Sequence, residues 1–371
     1  MITDVAIIGS GYTALSTAYH LNKLGPFKAV LINDGIDQSH EIRQSEHAVI
    51  STYFDQVTRI VNAFGREDAE KMISFSNEAY KYLKNFCEQK EIGIRTNPIK
   101  RIGAGDMENK ELNEVNEIFS SFGYKTTKIA WKGLDFYFTG EESASLSSRR
   151  FLNFQKEGTN TKTVSDKVIA LEELDGSIII KLENGSTIKS EMVVLANHEK
   201  ISNLIPFYKN ILIPYTDQWN KAVTNKPFLK VGEMAMWKYS NVWAKALNEY
   251  EIVFGGARFL RENRQELTKL AIEPKASAYI INDLSRMFDV KIGEVTTSNP
   301  FLGIRCCDEK PIIGPHFGSG KILIGSGYMG NPISFGFYAG KCLSEVIING
   351  HSDALPYIFR PERLRSLARN D

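Results

Sequence analysis

The chain has 371 residues, 43% hydrophobic and 24% charged, enough for two domains with sizeable cores and ordinary for a globular protein. Its 45 Lys and Arg against 44 Asp and Glu leave a net charge of +1, which argues against a broad footprint for nucleic acid or an anionic membrane surface. No apolar stretch reaches the length of a membrane span, and the N-terminus lacks the basic region of a secretion signal. Cys87, Cys306, Cys307 and Cys342 show neither metal-ligand spacing nor a disulfide framework, so no metal and a cytoplasmic, reducing location are expected.

In chain order, Val5–Ile8 is a short apolar run of β-type residues, as in a buried parallel strand. Gly9-x-Gly11-x-x-Ala14 follows at once, then a helix-period segment with Ala14, Leu15, Ala18, Leu21 and Leu24 on one face. Gly25-Pro26 stops that helix, and Phe27–Ile32 reads as a second strand. Strand, glycine turn, helix and strand together form a dinucleotide-binding unit. Gly9 permits the tight turn, Gly11 lets the backbone close on a pyrophosphate, and Ala14 lets the helix pack near the strand. The acid expected at the end of the second strand is an amide, Asn33, with Asp34 beside it. Ser45 and His47 fall on a loop that can pass near a bound nucleotide.

Residues 55–90 carry apolar side chains at helical spacing, a strand is expected over Ile94–Gly103, and a charged amphipathic helix over Glu108–Phe122. Trp131–Phe138 is aromatic-rich and reads either as a strand or as a pocket wall. Val168–Leu171, Gly176–Leu182 and Met192–Ala196 read as a β-meander with Asn184-Gly185 as a hairpin turn, ending in an apolar strand that returns to the central sheet. Strand-like runs before Gly255-Gly256 and a helix over Pro274–Phe288 fill the middle section. Lys321–Gly330 then repeats the strand and Gly-rich turn, leading through Asn331-Pro332 into a helix from about Ile333 to Ile348.

These pieces resemble the FAD-dependent D-amino-acid oxidase family, in its glycine oxidase and sarcosine oxidase branch. The resemblance rests on Asp4–Leu21, on Glu191–Ala196, on the run from Gly303-Ile-Arg305 through Asp308-Glu-Lys-Pro311 to Gly327-Tyr-Met-Gly330-Asn331, and on the ending Pro356–Arg363. It implies an α/β fold with a Rossmann-type FAD-binding domain (1–80 with 140–205 and 306–371) and an interleaved mixed-sheet substrate domain (81–139 with 206–305). It also implies that Gly9, Gly11, Tyr12, Thr13 and Ala14 hold the FAD pyrophosphate and that Asn33 or Asp34 holds the ribose, with Ser45 and His47 nearby. Val168 would meet the adenine, Ala196 and Asn197 would end the second FAD-contacting strand, and Gly327, Met329, Gly330, Asn331 and Pro332 would lie along the flavin.

The same resemblance implies oxidation of the C–N bond of an amino acid or secondary amine to an imine, by hydride transfer to a flavin held non-covalently. Arg305 would fork onto the substrate carboxylate, and Tyr328 would share the catalytic site. Fewer residues than usual separate Arg305 from the Asp308 element, and Cys306 or Cys307 is the place for a covalent flavin bond if one exists. Tyr215, Trp237, Tyr239 and Arg258 lie where the family builds its pocket. Electrons would pass to O2 or to an accepting protein partner. The alternatives are a dehydrogenase subunit and a flavin-binding module without turnover.

Overall fold

A computed structural model describes residues 1–33, 49–51, 57–131, 133–238, 241–260 and 270–370. Asp34, Ser45, His47 and Tyr239 lie outside the described residues. The protein is a mixed α/β structure built on two sheets.

The first sheet runs Ile312–His316, Ser319–Ser326, Thr187–Leu195, Ile2–Ile8, Ala29–Asn33, Lys162–Ser165, and all but the first of these strands are mutually parallel. The expected meander joins it: Val168–Leu174 and Ser177–Leu182 pair antiparallel, and the latter pairs with the start of Thr187–Leu195. Ile7, Ile8, Val193, Val194 and Leu195 are fully buried, because helices or loops cover both faces of the parallel strands.

The second sheet is mostly antiparallel and holds ten described strands, the longest pair being Leu212–Thr224 and Ile292–Cys306. Its helix, Pro274–Phe288, packs Ala276, Ile280 and Leu284 onto the apolar face around Trp237 and Phe254. The aromatic-rich stretch is a strand, Leu134–Phe138, whose Phe136 and Tyr137 enter core clusters away from the cavity described below.

Two helices depart from the simplest reading of the pattern. The N-terminal helix, Tyr12–Leu24, is buried at every position from Tyr12 to Leu21, while Leu24 is 53% exposed. A second layer hides its polar side, where the C-terminal helix, Pro332–Asn349, lies against it. Ser16 Oγ donates to Phe337 O at 2.5 Å and Ser344 Oγ to Thr17 O at 3.1 Å. The helical pattern over 55–90 is two helices, Val57–Phe64 and Arg66–Gln89, divided at Gly65 with φ +82°.

Candidate active site

The site begins at the C-terminal edge of the first sheet, where the chain leaves Ile2–Ile8 for the strand on one side while Thr187–Leu195 lies on the other. Such a switch in strand order opens a crevice between neighbouring strand ends. Gly9 N donates to Ile32 O at 2.9 Å and Ala196 N to Ile8 O at 2.8 Å, tying three strand ends together. Gly9 has φ +129°, and a Cβ there would stand 2.4 Å from Ala196 O, so only glycine fits. Gly11 then caps the N-terminal helix with no side-chain hydrogen bond and no acid in the first turn, so the positive end of the helix carries no acid of its own.

The second turn comes from the far end of the chain. Gly327, Met329 and Gly330 all have left-handed φ (+77°, +50°, +86°), and Asn331 Nδ2 donates to Ile50 O at 2.8 Å to pin the turn. Asn331 opens the C-terminal helix, with Pro332 as its first residue and no side-chain cap. Tyr328 joins the turns: its hydroxyl lies 2.7 Å from Thr13 Oγ1 and its backbone bridges to Arg305. Both helix N-termini therefore border one narrow cleft, lined by Gly11, Tyr12, Thr13, Ala196, His198, Gly325, Tyr328 and Pro332.

Beside this cleft lies a larger cavity of about 990 Å³, its open mouth included, and His198, Tyr328 and Pro332 line both. Tyr215, Trp219, Trp243 and Phe301 give the cavity aromatic walls, with Asp217 and Arg258 as its charged groups. Tyr215 lies across Gly303, where a Cβ would come 2.4 Å from the ring. Burial raises the pKa of its phenol, which stays neutral. The Arg258 guanidinium sits 4.9 Å above the Tyr215 ring, with Nε 3.8 Å from Asp217 Oδ2.

The expected residues divide into groups. Gly11, Tyr12, Thr13, Ala196, Tyr328 and Pro332 meet at the cleft, and Gly327, Met329 and Gly330 line the cavity. Ala14 is fully buried beneath the turn, and Asn197 is 2% exposed beside Gly9. Asn33 ends its strand opposite Ser165, and Val168 starts the meander. Arg305 is not among the residues lining the cavity. The turn at Cys306–Glu309 closes so soon after the strand that the Glu309 carboxylate comes within 4.0 Å of Arg305 Nη1, and the arginine side chain is 47% exposed. Arg258 does line the cavity. Trp237 does not: it is 1% exposed and donates to Asp283 at 3.1 Å.

Cys306 is buried and its Sγ accepts from Arg363 Nη2 at 3.6 Å, while Cys307 is exposed. Arg363 also pairs with Asp308 at 2.7 Å, so a cation already serves the cluster formed by these two thiols and Asp308. His198, Asp217, Trp219 and Trp243 went unnoticed in the sequence. Nothing local marks them, since each reaches the cavity through strand pairing or a turn conformation.

Around the two turns, Asn197 Oδ1, Ser326 Oγ, Asn331 Oδ1 and Ser334 Oγ are buried without a hydrogen-bond partner among the described residues. A polar occupant of the cleft would satisfy such atoms. No helix among the described residues is long and apolar enough to cross a membrane.

No protein-family profile matches the chain. Among solved structures, L-proline dehydrogenase from P. horikoshii superposes with a TM-score of 0.77 at 15% identity, covering 98% of both chains. Glycine oxidase from Geobacillus kaustophilus gives 0.76 at 12% identity, over 97% of this chain and 98% of the other. Iminodiacetate oxidase from Chelativorans sp. BNC1 gives 0.74 at 14% identity, over 96% and 98%. Across nearly its whole length, the chain therefore has the fold that these three enzymes share.

Proposed function

We propose that this protein is an FAD-dependent oxidoreductase that oxidises the C–N bond of an amino acid or secondary amine to an imine. The observation that carries this reading is a cleft between two uncapped helix N-termini that shares His198, Tyr328 and Pro332 with an aromatic cavity lined by Arg258. On this reading Gly9, Gly11, Tyr12, Thr13 and Ala14 receive the FAD pyrophosphate, and Asn33 the ribose, together with Asp34, Ser45 and His47. Val168, Ala196 and Asn197 flank the adenosine side, and Gly327, Met329, Gly330, Asn331 and Pro332 the ring system. The helix N-terminus without a side-chain cap and the orphaned oxygens of Asn197 and Asn331 support the fit.

FAD, when bound, supplies a two-electron acceptor for the hydride on the carbon next to nitrogen. The chain's own residues orient the substrate and exclude water. Arg258 holds the carboxylate at the cavity mouth, with Arg305 beyond it drawing anions toward the opening. Tyr215, Trp219, Trp243 and Phe301 exclude water from the reacting carbon and strengthen the electrostatics inside. Tyr328, held by Thr13, keeps the two turns in register. On this reading attachment is non-covalent, which the contact of Cys306 with Arg363 and the exposure of Cys307 favour. Residues 1–80, 140–205 and 306–371 form the cofactor part, and 81–139 with 206–305 the substrate part. Electrons pass on to O2 or an accepting partner, in the cytoplasm.

The test is anaerobic titration of the FAD-loaded protein with amino acids and N-substituted glycines, following the flavin band near 450 nm. Bleaching by at least one carboxylated amine is expected, and the colour should leave the protein on acid precipitation. A protein that takes up FAD but is bleached by none of them would refute the reaction.

A further inference from the structure

We infer that His198 is a cofactor-binding residue, its imidazole holding the phosphate chain of the dinucleotide where the cleft meets the cavity. The inference rests on the FAD reading above. Two independent observations carry it. The first is conformational: His198 has φ +56°, a left-handed backbone that disfavours a side chain with a β-carbon and that glycine adopts freely. A residue kept in such a conformation at a cavity is a sign of function.

The second observation is placement. His198 follows directly on Ala196 and Asn197 at the crevice between neighbouring strand ends, and it lines both the narrow cleft and the larger cavity. Tyr328 and Pro332 line both as well, but Pro332 has no side-chain donor and the Tyr328 hydroxyl is engaged with Thr13. Among the described residues lining the cleft, His198 is the sole one with a basic side chain. A pyrophosphate brings two negative charges, while the two helix N-termini together offer the equivalent of roughly one positive charge. The cleft therefore calls for a further donor, and an imidazole N–H at the junction supplies it to an anionic phosphate oxygen.

The test compares FAD affinity with apoprotein stability in two variants. His198→Gly relieves the left-handed backbone, and His198→Asn tolerates it while keeping a neutral donor. Apoprotein of each is titrated with FAD, following quenching of flavin fluorescence, and its urea midpoint is measured separately. The expected result is a dissociation constant at least about tenfold weaker for His198→Gly, with an unchanged or higher urea midpoint and an intermediate affinity for His198→Asn. Affinities within twofold of the parent in both variants overturn the inference. If the parent protein binds no FAD, the cofactor reading itself fails, and the role of His198 fails with it.

Discussion

The seam between the N-terminal and C-terminal helices sets how far apart the two turns stand, and Gly340 lies at its tightest point. A Cβ at residue 340 would stand 2.4 Å from Ser16 Cβ and 2.7 Å from Thr17 N. Ordinary carbon contacts lie at about 3.5–4.0 Å, so the helices would have to separate by roughly 1 Å. A side-chain rotation cannot relieve this, because one contact is with backbone and the other with a β-carbon. In an exposed helix Gly→Ala gains about 1 kcal/mol. Overpacking costs about 1–3 kcal/mol and occasionally more, and separation would also break the Ser16 bond to Phe337 O. We expect Gly340→Ala to destabilise the apoprotein by roughly 2 kcal/mol net, read as a lower urea midpoint at unchanged m-value. FAD affinity should fall as well, since Thr13 and Tyr328 would part. Gly336→Ala is the internal comparison: its Cβ would sit 3.0 Å from Thr13 Oγ1 and 3.1 Å from Tyr12 Cβ, a milder conflict that the helical gain largely offsets. A Gly340→Ala protein as stable as the parent would falsify the packing argument.

Three further outcomes are expected. Arg258→Leu should raise the KM for a carboxylated substrate about 100-fold, in line with the ~2–5 kcal/mol lost when one partner of a charged pair is truncated. Arg305→Leu should raise it less than tenfold, and the reverse order would restore Arg305 as the anchor. Lys245 is fully buried, with Nζ donating to Ala144 O at 2.9 Å, and desolvation lowers its pKa to about 7. Its ordinary value is near 10.4, so between these values the unfolded chain binds the extra proton and stability rises with pH. Lys245→Met should flatten that slope and stabilise the protein most below pH 7, as denaturation from pH 6 to 10 will show; a slope unchanged by the substitution counts against it. Cys307 is exposed, and a hydrogen bond from Cys306 holds its pKa down, whereas burial pushes Cys87 and Cys342 up to about 12. Iodoacetamide at pH 7.5 should label Cys307 first, as peptide mapping will reveal; early labelling of Cys342 would contradict the burial.

Local patterns were legible wherever short-range chemistry decides the structure. The strand over Ile2–Ile8, the glycine turn at Gly9 and the helix that follows are determined by residues within one another's reach, as is the helix over Pro274–Phe288. The hairpin at Asn184-Gly185 and the second Gly-rich turn at Gly327–Gly330 belong with them, because each places glycine where the backbone needs it. The helical spacing over 55–90 corresponds to two helices, and their division at Gly65 is a left-handed turn that periodicity does not record. The amphipathic face of the N-terminal helix was readable, but not the burial of its other side, which depends on a helix more than 300 residues later in the chain.

The sequence by itself therefore determined the elements, the two turns and the fold class that they imply. Which residues share the cavity was decided only by tertiary structure. Arg258 and Tyr215 meet because the strand Leu212–Thr224 pairs with both Glu251–Gly256 and Ile292–Cys306, which aligns Tyr215 with Gly303 and Trp219 with Gly255. Arg305 lies two residues beyond Gly303 on the same strand, with Nη1 4.0 Å from Glu309, and its charge acts on the Tyr215 phenol that walls the cavity. Strand register and turn length are long-range properties, fixed by the packing of whole sheets, and a shift of one residue reverses which side chains face the cavity.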